Sequence, residues 1–434
     1  MFDFSSFLSN KAFITEDHHV YTYADLLGLS ERFSEHLVPR SLIFIGCENS
    51  LESIVAYVSC LRSGVVPLLL SRDVPDETLY HLEAIYHPRY CWFPSRRDLL
   101  VKGKEKYSLG GYSLIQYDGD SPVLPEGLAL LLTTSGSTGS PKLVRLSHDN
   151  LKSNACSIIE YLKITSSEKA ITSLPMYYSY GLSVLNSHLL AGATLLLTDK
   201  SYVQREFWKF VLEEKATSFA GVPFTYEILK KMRFEKFLPS SVKVMTQAGG
   251  KLNSSLIKYF SEYARLHDIR FYVMYGQTEA TARMSYLPAE YTLNKVGSVG
   301  VAIPGGHFSL IDEDGMRIVS PNVEGELVYE GSNVFWGYAE SLDDLFKGDE
   351  NKGILYTGDL AYVDSEGFYY ISGRKKRFLK LYGNRISLDF VESIVKDHCQ
   401  ECACVGSDDK LIVYVTDLDK IDSIKSVLSN RVLI

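Results

Sequence analysis

Apolar residues along this chain fall into two alternating rhythms. Short unbroken apolar runs read as buried strands, and apolar positions three and four apart read as one face of a helix. Residues 54–70 (IVAYVSCLRSGVVPLLL) predict a helix, a glycine turn and a buried strand. Residues 130–132 and 143–146 predict two further strands. A helix is predicted to start near Ser147, with Leu151, Ala155, Ile159 and Leu162 on one side. Residues 188–197 pass from helix to strand, and 218–232 from strand to helix. From about 290 to 372 the texture shifts to short alternating runs split by Gly, Asp and Asn, as in VGSVGVAIPGGHFSLIDEDG, which predicts a β-rich subdomain. After Arg374 a helix carries Leu388, Val391, Ile394 and Val395 on one side; two short strands and a last helix (Ile421, Ile424, Val427, Leu428) follow. The pattern is mixed α/β.

The strands at 130–132 and 143–146 flank the most informative stretch, LLLTTSGSTGSPKLVRLSH (130–148). Thr133, Thr134, Ser135, Gly136, Ser137, Thr138, Gly139 and Ser140 form a loop of small residues and hydroxyls closed by Pro141 and Lys142. Glycines permit tight bends and close backbone approach. Backbone N–H groups and hydroxyls can surround phosphate oxygens, with Lys142 as a point charge. The spacing G-x-x-G-x-x-K, followed by a strand, differs from the P-loop of NTPases, which runs into a helix and places Ser or Thr after its lysine. A polar surface loop is the bland alternative, since Gly/Ser/Thr runs often mark no more than that.

Length and composition narrow the class. A chain of 434 residues is too long for one simple core, so at least two domains are expected. Hydrophobic content of 46% and charged content of 23% suit an ordinary globular protein. A net charge of −8 argues against generic nucleic-acid binding. No apolar run reaches membrane-span length, and MFDFSSFLSN lacks a basic stretch before an apolar core, so no membrane span is expected and the cytoplasm is the expected location. Seven cysteines fit a reducing compartment. Three of them lie in HCQECAC (398–404), but no second distant Cys/His pair completes a four-ligand zinc site, so they are expected to be small buried hydrophobes.

Further segments give the loop its context. AGG (248–250), YGQTEA (275–280), GELVYEGSNVFWGY (325–338) and YTGDLAYVDSEGFYYISGRKKRFLKLYGNRISLDFVE (356–392) follow it in order. Together these segments resemble the ordered motifs of the adenylate-forming superfamily: acyl- and aryl-CoA synthetases, peptide-synthetase adenylation domains and luciferases. The resemblance spans roughly 20–434. It implies a large N-terminal domain of mixed sheets flanked by helices (1–373, with the β-rich subdomain about 290–372), a hinge at 374–376, and a small, shortened C-terminal α/β cap (377–434).

The chemistry implied is carboxylate activation. A small-molecule carboxylic acid attacks the α-phosphorus of ATP, giving an acyl-adenylate and pyrophosphate, and a thiol then displaces AMP. The thiol is expected from coenzyme A or from the phosphopantetheine of an acyl-carrier protein. By resemblance, Thr133, Ser135, Gly136, Ser137, Thr138, Gly139 and Lys142 hold the β/γ-phosphates. Thr278 contacts the α-phosphate and Glu279 ligates Mg²⁺ through hard carboxylate oxygen. Tyr275 and Gly276 lie at the adenine beside Ala248, Gly249 and Gly250, and Asp359 and Arg374 reach the ribose. Lys142, Thr278 and Glu279 are the expected catalytic residues. Taken singly, Asp359 reads as a turn residue and Glu279 as a helix N-terminal charge. Lys376 is the implied hinge residue within the basic run 373–380, with Lys380 and Gly383 on the thiol-transfer loop. The bland reading of that run is a solvated face.

Two departures from the family pattern stand out. Many relatives carry His where PMYYSYG (175–181) has Tyr178, which keeps a ring and a hydroxyl but not imidazole's titration. None of the 60 residues after Arg374 forms the G-K segment that supplies the family's C-terminal catalytic lysine, and Lys410, Lys420 and Lys425 match no such role. The expectations are a truncated product, recruitment of another lysine, or slow adenylation. The pocket motif has no Asp for a substrate ammonium, which favours an acid without an α-amino group. Tyr178, Ser183, Val222, Gln247 and Met274 are the expected pocket residues. An AMP-forming acid–thiol ligase is the leading reading; a nucleotide-binding pseudoenzyme or regulatory module and an unrelated P-loop NTPase are the alternatives.

Overall fold

The computed structural model describes residues 2–95, 103–133, 142–375, 378–381, 384–399, 401–407 and 410–428. Ser135, Gly136, Ser137, Thr138, Gly139, Lys376 and Gly383 lie outside them. The chain divides into two compact units, residues 1–307 with 330–355, and residues 308–329 with 356–434. Of the predicted β-rich subdomain, residues 308–329 and 356–372 fall in the second unit with the C-terminal segment, and 330–355 fall in the first.

The first unit contains two mixed sheets. The nine-stranded sheet runs, in spatial order, Val301–Ala302, Ser285–Leu287, Arg270–Tyr275, Val244–Gln247, Ser218–Gly221, Lys169–Ile171, Thr194–Leu196, Lys11–Ile14, Val20–Thr22. Its central strands are parallel and its outer members antiparallel. The eight-stranded sheet runs Gly337–Ala339, Leu143–Ser147, Leu128–Thr133, Val66–Ser71, Leu42–Cys47, Tyr90–Pro94, Tyr112–Tyr117, Gly103–Leu109. Its central strands are near-continuous Leu/Ile/Val runs, as parallel strands covered on both faces require. Helices Leu51–Ser63 and Ser179–Leu190 are buried almost all round, and the Tyr57 hydroxyl donates to Asn186 Oδ1 at 3.0 Å between them. Burial on every side fits an inner helical layer.

Local chemistry sets several boundaries. Ser147 caps helix His148–Leu162 with Asn150 in a reciprocal capping box, where the sequence predicted a start. Gly64 ends helix Leu51–Ser63 in the left-handed conformation, φ 69°, and the buried strand Val66–Ser71 follows.

The second unit has a five-stranded sheet, Arg317–Ile318, Gly306–Ile311, Gly325–Gly331, Ile354–Val363, Tyr369–Arg374, and two small hairpins. Helix Leu388–Lys396 buries Leu388, Val391, Ile394 and Val395 against Ile424 and Leu428 of helix Ile421–Leu428. Cys399 and Cys404 are buried in the same cluster, and Cys402 packs against it.

Candidate active site

Strands Leu128–Thr133 and Leu143–Ser147 pair antiparallel, with Thr133 opposite Leu143, so residues 134–142 connect two neighbouring strands. Lys142 stands at the mouth of that connection. Its ammonium lies 2.7 Å from Glu340 Oε1 and 5.6 Å from the centre of the Tyr338 ring. The phosphate-binding lysine expected from the sequence thus rests on a carboxylate here, and both side chains are more than half exposed.

Strand Arg270–Tyr275 delivers the YGQTEA segment, which leaves the sheet at Gly276 and turns through Thr278–Ala280. A Cβ at Gly276 would run into the Ala282 carbonyl, so no side chain fits this bend. Gln277 Nε2 donates to the Tyr275 hydroxyl at 3.2 Å. Thr278 Oγ1 lies 3.2 Å from Ser179 Oγ, on the first turn of helix Ser179–Leu190. The Phe335 N–H donates to the Glu279 carbonyl at 2.8 Å, and Asn333 Nδ2 donates to the Ala280 and Arg283 carbonyls. These bonds fasten 333–338 along 279–283, and the Tyr338 hydroxyl then donates to Glu279 Oε1 at 2.7 Å. Burial and the Glu279 carboxylate both raise the Tyr338 phenol well above its ordinary value, so it remains a proton donor.

Arg145 explains why that segment stays in place. Its side chain is fully buried, donates to the Tyr338, Lys347, Gly348 and Trp336 carbonyls, and pairs with Glu350. A lone charge within the apolar strand LVRLS was the sequence signal for it.

The expected pocket residues divide into three groups. Tyr178 and Val222 converge on Gly249: a Cβ there would lie 2.5 Å from the Tyr178 hydroxyl and 3.2 Å from Val222 Cγ1, and φ is 82°. Gly250 lies against Pro223, and Ala248 N donates to the Gly221 carbonyl at 3.3 Å. Ser183 and Met274 meet instead at Arg283, whose Nε donates to Ser183 Oγ at 3.1 Å and whose Nη1 lies 3.5 Å from Met274 Sδ. Gln247 is separate from both groups. It pairs in register with Val273, so alternation turns it to the sheet face opposite Met274, and its Nε2 donates to the Gly250 carbonyl at 2.9 Å. Burial raises the Tyr178 phenol, which keeps it neutral. Tyr338, Ser179 and Arg283 were not singled out in the sequence. Only Arg283 left a trace there, as a charge in the small-residue run TEATARMS.

In the second unit Asp359 and Arg374 are cross-strand neighbours, with Arg374 Nε 3.2 Å from Asp359 Oδ1. Asp359 is buried and Arg374 exposed, so the pair offers a fixed carboxylate beside a reachable guanidinium. Lys375 Nζ lies 2.6 Å from Glu326 Oε2. Lys380 stands in strand Phe378–Leu381 opposite Arg385 rather than in a loop, because that strand pairs antiparallel with Asn384–Ser387.

A family model for AMP-binding enzymes matches residues 6–339. The chain is 32% identical over 427 residues to a 2-succinylbenzoate–CoA ligase of Bacillus cereus, covering 93% of this chain and 86% of that one. It is 26% identical over 411 residues to the same-named ligase of Bacillus subtilis strain 168, covering 92% and 82%. Unliganded o-succinylbenzoate coenzyme A synthetase from Bacillus subtilis superposes with a TM-score of 0.80 at 22% identity, covering 98% of this chain and 93% of that one. ATP-bound MatB from Rhodopseudomonas palustris gives 0.79 at 23%, covering 98% and 89%. These structural likenesses carry the α/β fold. The ordered motifs, the fold and the family match converge: the chain belongs to the AMP-binding enzyme family and is an ATP-dependent, AMP-forming acid–thiol ligase.

Proposed function

We propose that the acid this chain activates is 2-succinylbenzoate and that the thiol acceptor is coenzyme A. The observation that carries this reading is the 32% identity over 93% of the chain with the Bacillus cereus ligase of that name. The CoA ligases named above favour coenzyme A over a carrier protein, and their catalytic names favour turnover over nucleotide binding alone.

The residues present suit a nucleotide with Mg²⁺. Magnesium takes one or two carboxylates with phosphate and water oxygens rather than an all-protein cage. A single partly exposed carboxylate, Glu279, suits that demand, and no cluster of three His, Cys, Asp or Glu side chains competes with it among the described residues. When bound, ATP supplies the α-phosphorus that the acid attacks. Glu279 holds the metal, and Tyr338 fixes the direction of its carboxylate. Lys142 exchanges Glu340 for phosphate oxygen, and Thr278 donates at the α-phosphate. Asp359 accepts from the ribose hydroxyls with Arg374 beside it. The loop residues Thr133, Ser135, Gly136, Ser137, Thr138 and Gly139 complete the phosphate contacts. Positioning and charge stabilisation of this kind are most of what phosphoryl chemistry asks of a protein.

We keep 374–376, with Lys376, as the hinge, and Lys380 and Gly383 as the residues serving thiol transfer. The cytoplasm is the proposed location, supported by seven free thiols and by the lack, among the described residues, of a helix long and apolar enough to cross a membrane.

ATP–pyrophosphate exchange across a panel of acids tests the reading. Exchange with 2-succinylbenzoate, lost in Glu279→Gln and followed by thioester formation on adding coenzyme A, is the expected result. Exchange with a different acid alone would overturn the substrate, and undiminished exchange in Glu279→Gln would overturn the metal ligand.

A further inference from the structure

We infer that Arg283 receives a second carboxylate of the acid substrate, distinct from the one that is adenylated, and thereby selects a dicarboxylate. This rests on the proposed acid-activating pocket and deepens it. Arg283 is 2% exposed. Its Nε donates to Ser183 Oγ at 3.1 Å and its Nη1 to the Tyr161 hydroxyl at 2.9 Å; Met274 Sδ lies 3.5 Å from Nη1 and the Tyr180 ring centre 5.1 Å from the guanidinium carbon. Every one of these partners is neutral. Ser183 passes its own proton to the Tyr180 carbonyl and Tyr161 passes its own to Met274 Sδ.

No carboxylate comes within ion-pair distance of Arg283 among the described residues. Arginine keeps its charge in proteins. A buried charge without a counter-charge is strongly disfavoured, and neutral acceptors satisfy its hydrogen bonds without neutralising it. A cavity of about 20 Å³, room for roughly one water, borders Arg283 together with Thr246, Val184 and His188. Burial holds His188 down to about 4, so it is neutral near pH 7 and supplies no negative charge. Glu168 also borders the cavity, but its carboxylate accepts from Thr217 and forms no ion pair with Arg283. The compensating anion is therefore assigned to the ligand, and the planar fork of guanidinium suits a carboxylate.

Geometry gives the substrate's dimension. Ser179, at Thr278, and Ser183, at Arg283, are four residues apart on one helix. Four residues of helix rise about 6 Å, and the span we infer between the activated carboxylate and the second anion is of that order. In 2-succinylbenzoate six bonds join the two carboxyl carbons, and six bonds of about 1.5 Å folded at each centre span roughly 5–7 Å.

The test compares 2-succinylbenzoate with its analogue lacking the ring carboxylate, in pyrophosphate exchange and in thermal stabilisation by each acid with ATP. Wild type is expected to favour the dicarboxylate by at least about 100-fold in kcat/KM, as sites built around a buried polar partner do. In Arg283→Gln that ratio falls to within about 3-fold, mainly through KM, and Arg283→Lys retains part of it because the charge remains. A purely structural arginine would lower both acids together and leave the ratio intact, which overturns the inference. Should Arg283→Gln not fold, the Arg283→Lys ratio and the wild-type discrimination decide alone. If wild type rejects 2-succinylbenzoate but discriminates another dicarboxylate through Arg283, the proposed substrate fails and this inference stands. A preferred monocarboxylate whose KM is unmoved in Arg283→Lys overturns it.

Discussion

The Tyr338 hydroxyl donates to Glu279 Oε1 across 2.7 Å. Two segments far apart in sequence thus share one polar contact, held by the Asn333 and Phe335 bonds and by Arg145 beneath. The carboxylate proposed to hold magnesium is aimed before any nucleotide arrives.

Tyr338→Phe removes that aim while keeping the ring above which Lys142 lies. Partners that orient a metal ligand are worth roughly 10–100-fold in affinity or activity. The half-saturating magnesium concentration in pyrophosphate exchange should rise by about 10-fold, with the melting temperature little changed. An unshifted magnesium titration would remove Tyr338 from this role.

Glu340 competes with phosphate for Lys142. Because both side chains are largely exposed, the pair is worth about 0–1 kcal/mol. Glu340→Gln should therefore lower KM for ATP by no more than about 5-fold, whereas Lys142→Ala should raise it. Steady-state titration of ATP at saturating magnesium reads both; a higher KM in Glu340→Gln would show that the carboxylate assists binding instead.

Gly249 is needed for two separate reasons, a left-handed φ of 82° and the nearness of the Tyr178 hydroxyl. Gly249→Ala should destabilise the fold by about 1–2 kcal/mol through backbone strain and displace Tyr178. Adding Tyr178→Phe relieves the contact but not the strain, so urea unfolding should show partial recovery. Full recovery in the double variant would leave no cost for the φ angle.

His188 makes the fold sensitive to acid. Burial, the dominant cause, lowers it from 6.5 to about 4, with Arg283 adding to the shift and the Val184 carbonyl opposing it. Between those values the unfolded chain binds a proton that the folded chain excludes. The stability present above pH 6.5 is therefore lost as pH falls towards 4, on the order of 3 kcal/mol in all. Urea midpoints at pH 7 and pH 4.5 should diverge less in His188→Gln than in wild type. Equal divergence would assign the acid sensitivity to other groups.

Element by element, what could be read from the sequence follows the range of the forces involved. Helix His148–Leu162 was legible because its Ser147 and Asn150 cap lies within four residues of chain. The two strands that flank 134–141 were legible because unbroken apolar runs mark them locally. Lys380 was expected in a loop and is a strand residue, since antiparallel pairing depends on a partner strand that its own run does not announce. Ser183 and Met274 were expected in the pocket, but that Arg283 joins them depends on packing between segments about a hundred residues apart, which no local run shows.

The sequence by itself determined the family, the order of the motifs and the chemistry their residue types can support, because those depend on spacing along the chain. Tertiary structure alone decided that Tyr338 serves Glu279, that Lys142 rests on Glu340, that Gln247 turns to the opposite sheet face, and that Arg283 is buried among neutral partners. Each of these is a contact or a facing set by sheet register and by packing between distant segments. Their energies depend on burial and on the charge of neighbours that no local window contains.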